Sequence, residues 1–91
     1  MKKTLYTIYD TVSKTCWVPF PAYNADDAMR SCGNIVNVPS DHDVHLHPSD
    51  FILQAVAFFD DTDLPCITSI DPPQTICRLD LLKISQENDN A

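Results

Sequence analysis

The sequence predicts an α+β domain, with a small mixed or antiparallel sheet of four to five strands packed on one amphipathic helix. Three observations predict it. A helical period with its own cap runs from Asn24 to Asn37. Two β-type runs, Thr4 to Tyr9 and Thr15 to Val18, flank the polar stretch Asp10 to Lys14. A third run, Phe51 to Phe59, alternates over nearly its whole length. Ninety-one residues, 44% of them hydrophobic, make one domain over residues 1–84, followed by an acidic, flexible tail over 85–91.

The first two runs carry the Thr, Tyr, Leu and Ile that suit a pleated surface, so they read as a hairpin. Pro19-Phe20-Pro21 should stop the pairing, because proline donates no ladder hydrogen bond. In the helix, Asn24 can accept from a first-turn amide, Asp27 can reach back, and Asp26 and Asp27 suit the positive helix end. Ala25, Ala28, Met29, Cys32, Ile35 and Val36 share one face, and Asp26 and Arg30 are spaced for an i,i+4 pair. Gly33 reads as a small residue opposite a sheet, and Pro39 ends the element.

Residues 38–50 read as a long polar loop that holds all three histidines. In the next run Phe51, Leu53, Ala55, Ala57 and Phe59 share one face, and Ile52, Val56 and Phe58 share the other. Apolar residues on both faces imply a central strand covered on each side or a partner contact; a buried amphipathic helix is the competing reading. Asp60 to Asp63 reads as a turn and Cys66 to Ile70 as the returning strand. Asp71-Pro72-Pro73 should break the chain, and Ile76 to Ile84 reads as strand or helix. The expected core is Leu5, Ile8, Val18, Ala28, Met29, Cys32, Ile35, Leu53, Ala55, Ala57, Phe59, Ile67 and Leu79.

Six basic residues against thirteen acidic ones give a net charge of −7. That opposes nonspecific binding to duplex DNA and adsorption to anionic membranes. One glycine leaves no phosphate-cradling loop. No apolar segment follows Lys2 and Lys3, and no run is long enough to span a membrane, so the chain reads as intracellular. Cys16, Cys32, Cys66 and Cys77 form no C-x-x-C pair and read as reduced thiols in apolar patterns, with disulfides and metal ligation as the alternatives.

His42, His45 and His47, with Asp41 and Asp43, are the one clustered set of ligand-type residues. Their spacing fixes no fourth ligand, so they read as a partner-binding loop and no metal is assigned. Asp26-Asp27 and Asp60-Asp61 are explained by helix capping and by a turn, and no serine sits in a nucleophile motif. The chain therefore reads as a non-enzyme with no cofactor. Lys2, Lys3, Lys14 and Trp17 are the candidate contacts for single-stranded DNA, with Trp17 as the stacking ring. The acidic excess reads either as solubility or as a face for a basic partner.

The chain resembles the small nonstructural protein of the microviruses, in particular the gokushovirus type, which are single-stranded DNA bacteriophages. Tyr6-Thr7-Ile8-Tyr9-Asp10 is similar to the family's opening strand. Pro19-Phe20 followed by Asn24-Ala25-Asp26-Asp27-Ala28-Met29-Arg30 is similar to its capped helix. Val36-Asn37, then His47-Pro48-Ser49-Asp50-Phe51 and Phe59-Asp60-Asp61, follow in the family's order, over residues 5–82. The chain departs in the turn after Asp61, where the family's Thr-Gly is expected and Thr62 is followed by Asp63 and Leu64.

The resemblance implies a non-virion accessory protein in the host cytoplasm that supports viral single-stranded DNA replication by contacting a viral or host replication protein. Two other functions fit the composition: an acidic, nucleic-acid-like inhibitor of a host protein, and a single-stranded DNA binder. A homodimer is expected from the apolar surface on both faces of Phe51 to Phe59.

Overall fold

In the computed structural model, residues 2–62 and 64–84 are described. They form a five-stranded antiparallel sheet with one long helix, an α+β fold. Strand β1 (Lys2–Asp10) pairs along its whole length with β4 (Phe51–Asp60), and β4 pairs with β5 (Ile67–Arg78). The other edge of β1 is shared by β2 (Thr15–Cys16) and β3 (Phe20–Ala22). The expected tail at 85–91 and the turn residue Asp63 lie outside the described residues.

Helix α1 (Ala25–Asn37) starts as its sequence dictates, with the Asn24 side chain accepting from the Asp27 amide at 2.8 Å. The Asp27 carboxylate accepts from the Tyr23 amide at 3.3 Å, which closes the helix entry from the other side. Ala28, Cys32 and Val36 are buried on one face of α1. They pack in one cluster with Tyr6 and Ile8 of β1 and with Phe51, Leu53 and Ala55 of β4. Leu79, in a 3-10 turn at Leu79–Leu82, closes that core.

Several expectations are corrected. Phe20-Pro21 does not end the pairing: Phe20 lies opposite Tyr6 and Pro21 opposite Leu5. A proline is tolerated there because β3 is an edge strand, where an outward N–H needs no partner. Pro72 and Pro73 likewise do not break the chain, since β5 runs through them on the opposite edge. Opposite Val56, β5 carries four residues, 70 to 73, between Ser69 and Gln74, so the prolines sit in an irregularity rather than in the ladder. Ile76 to Arg78 finish the strand, and the rest of the ambiguous segment turns as the 3-10 element.

Residues 38–50 are not wholly an exposed loop. They contain the short helix α2 (Asp43–Leu46) and a 3-10 turn at Pro48–Asp50, and they bury Val44 and Pro48. Gly33 does not face the sheet: a Cβ there would come no nearer than 4.0 Å to the Leu82 carbonyl oxygen.

The core differs from expectation at its edges. Val18 is 87% exposed, because the chain loops out between β2 and β3. Ile67 is exposed, and Leu5, Met29 and Phe59 are only half-buried. The reason is length. Thirteen helical residues span ~20 Å, whereas the twelve residues of β5 span ~40 Å, so α1 cannot cover the far end of the β4–β5 hairpin. The domain measures 51 × 28 × 19 Å, and its radius of gyration of 14.5 Å exceeds the ~12 Å of a compact chain this long. Tyr6, Thr7, Ala22, Val44 and Phe51 take the buried places that Val18, Ile35 and Ile67 do not.

Candidate interaction groove beside Trp17

Trp17 leaves β2 with its backbone held on both sides. Its N–H donates to the Ile8 carbonyl at 2.9 Å, and its carbonyl accepts from the Thr7 hydroxyl at 2.7 Å. The indole is thereby placed over the end of the core, edge-on to Phe51 at 6.2 Å between ring centroids. Its other neighbour is His42, also edge-on, at 5.4 Å. His42 is fixed in turn, because its Nδ1 accepts from the Val44 amide at 3.1 Å and so caps α2. That bond requires an unprotonated Nδ1.

Between this aromatic pair and the last turns of α1 lies a groove of about 390 Å³. Trp17, His42 and Val44 line it together with Ile35 and Val38, and Asn34 and Ser40 add polar side chains. Ile35 was expected in the core; it is 39% exposed because it stands on the flank of α1 that faces the groove. Carboxylates are absent from this lining, so it offers apolar contact rather than charge.

The other two histidines point elsewhere. His45 Nδ1 lies 2.7 Å from the Val36 carbonyl oxygen in the last turn of α1, and its own carbonyl accepts from Lys83 at 3.4 Å. His47 lines a separate cavity of about 270 Å³ with Asp10, Asp43 and Asp50. The three rings therefore do not converge. Among the described residues no three His, Cys, Asp or Glu side chains are arranged to hold a metal ion.

The lysines are also separated. Lys2 and Lys3 lie at one end of β1, with Lys2 opposite Asp60 and Lys3 stacked 4.8 Å from the Tyr23 ring centre. Lys14 lies in the turn beyond the other end, at φ 61°, and β1 itself spans ~30 Å. Trp17 touches none of them in the ring contacts above.

All four thiols are free. Cys16 and Cys66 are exposed, against the expectation that every cysteine sits in an apolar pattern. Cys32 is buried, and burial together with the nearby Cys77 pushes its thiol up to about 11. Burial also raises Cys77, with Asp80 adding to the effect. Neither is poised as a nucleophile, since that needs a lowered value.

The sequence pattern of the Phage ORF5 protein family matches residues 3–82, which is most of the chain and all five strands but for the first residue of β1. The chain belongs to the Phage ORF5 protein family. The Phage ORF5 match includes Trp17, the three histidines and α1, so the groove lies wholly within the family region. No curated protein and no solved structure gives a significant match. No helix among the described residues is long and apolar enough to cross a membrane.

Proposed function

We propose that this Phage ORF5 protein is a non-enzymatic accessory factor of a gokushovirus-type microvirus. It acts in the host cytoplasm, without a cofactor, and supports viral single-stranded DNA replication through protein contacts. The observation that carries the protein-contact reading is the groove: an apolar cleft with an aromatic wall and a carboxylate-free lining, on a chain whose net charge is −7. Such a cleft takes an apolar or aromatic side chain of a partner. The partner is a viral replication initiator or a host replication enzyme.

The separation of Lys2 and Lys3 from Lys14 supports protein contact over single-strand binding, because no basic cluster stands beside Trp17 to hold phosphates. The test is capture from infected cells with the native chain and with Ile35→Glu, which charges the groove without touching the core. A replication protein held by the native chain and lost with Ile35→Glu supports the proposal. A host nuclease or defence protein held equally by both would replace it with the acidic-inhibitor reading. Trp17 quenching by an oligonucleotide that survives moderate salt would replace it with the single-strand binder.

A further inference from the structure

The cavity that holds His47 lies next to the groove beside Trp17. Asp10, Asp43 and Asp50 line it, together with Val12 and Phe51. Two connections tie the depressions together. Trp17 in the groove stands 6.2 Å from Phe51 in the cavity, between ring centroids. The backbone also passes directly from His42 in the groove to Asp43 in the cavity. The Asp10 carboxylate is held in place by the Val12 and Ser13 amides, which donate to one of its oxygens at 2.9 and 3.2 Å. The Asp43 and Asp50 carboxylates receive no hydrogen bond or salt bridge from the described residues. No lysine or arginine lines either depression.

We propose that the groove takes an apolar or aromatic side chain from a basic protein segment, and that a lysine or arginine of the same segment rests against Asp10, Asp43 and Asp50. The inference rests on the protein-contact reading of the groove and adds the partner's chemistry. Apolar surface alone would accept any apolar side chain, so charge makes the selection. Three carboxylates around one cavity repel an acidic segment, and a cation placed among them relieves their mutual repulsion. Val12 and Phe51 offer apolar surface for the stem of a lysine or arginine whose head meets the carboxylates. The groove and the cavity lie on the order of 10 Å apart, which an extended segment crosses in about three residues. The aromatic groove supplies the anchor, and the surface carboxylates set preference more than affinity. Nucleic acids and anionic membranes present phosphates and are repelled here. A second copy of the chain, with thirteen acidic residues against six basic ones, meets the same repulsion.

The experiment follows the emission of Trp17, the chain's one tryptophan, as the full chain is titrated with short synthetic peptides. The first peptide carries phenylalanine and arginine about three residues apart among serines. The second has glutamate in place of the arginine. The native chain should bind the first about five- to tenfold more tightly than the second, and high salt should shrink the preference. With Asp43→Asn and Asp50→Asn together, the two peptides should bind alike, and circular dichroism should confirm the fold. Ile35→Asn, which makes the groove polar without adding charge, should weaken both. Equal binding of the two peptides by the native chain, or a preference that survives in the double variant, would overturn the basic partner and leave the groove reading standing. If neither peptide shifts the emission, or Ile35→Asn changes neither affinity, the groove reading falls and this inference falls with it.

Discussion

The Thr7 hydroxyl donates to the Trp17 carbonyl across 2.7 Å, and Thr7 is 1% exposed. Its side chain rises from the sheet face opposite α1, where the residues beside it on β4 are half open. The bond therefore does two things. It satisfies a buried hydroxyl, and it fixes the bulging segment that carries the indole toward His42 and Phe51. Thr7→Val keeps the shape and removes the donor. It should cost about 1 kcal/mol in urea denaturation, and it should shift Trp17 emission to longer wavelength. Unchanged emission would show that the indole is held by its ring contacts alone.

The cap at Asn24 should be separable from the groove. Asn24→Ala should cost about 1 kcal/mol through the lost bond to the Asp27 amide. Trp17 emission should not change, because the cap lies at the opposite end of α1 from Ile35 and Val38.

Leu53 is fully buried at the centre of the sheet. Leu53→Ala should lower stability by about 2–5 kcal/mol, measured as a shift in the denaturation midpoint. Ile67→Ala, at an exposed position, should change monomer stability by less than about 1 kcal/mol.

Thiol reagents should distinguish two classes of cysteine. Cys16 and Cys66 are exposed and should react at the rate of a free thiol, while Cys32 should react only as fast as the domain opens. Counting reacted thiols against time, in the native chain and in a Cys16→Ser, Cys66→Ser double variant, checks this. Rapid labelling of Cys32 would mean that α1 does not pack on the sheet as described.

Alkaline pH should destabilise the fold through Cys32. The Cys32 thiol is raised from about 9 to about 11, so above pH 9 the unfolded chain has lost a proton that the folded chain keeps. Stability should thus be flat up to about pH 9 and fall between 9 and 11. Cys32→Ala should remove most of that slope. In acid the sign is opposite. The Ser13 amide lowers the Asp10 carboxyl, the Thr62 hydroxyl lowers Asp60, and Arg78 lowers Asp80. Their contributions are present above the ordinary carboxylate range and are lost as pH falls below it, and surface exposure keeps them small.

The fold class was legible because its signals are local. Asn24 with its following aspartates, the single apolar face of α1 and the alternation through Leu53 need no tertiary information. Errors arose where tertiary position decided the outcome. Phe20-Pro21 and Pro72-Pro73 look like breakers, and only their place on the two sheet edges makes them strand residues. Val18 looks like a core valine until the jump between β2 and β3 is known. The site was less legible still. Trp17 and His42 are 25 residues apart in a chain whose intervening helix brings them together, and no spacing rule relates them. The exposed flank at Ile35 and the hydrophobic Val38 after the helix were the available hints, since a helix whose apolar stripe overruns its core must cover something else.

The long outer edge of β5 has a consequence for aggregation. An unpaired edge of twelve residues is a template on which further chains can stack and grow into fibrils. Pro72 and Pro73 remove two successive amide donors from the middle of that template and displace the backbone around them. What remains on either side is too short to propagate stacking, so the edge is left open to solvent without becoming a seed.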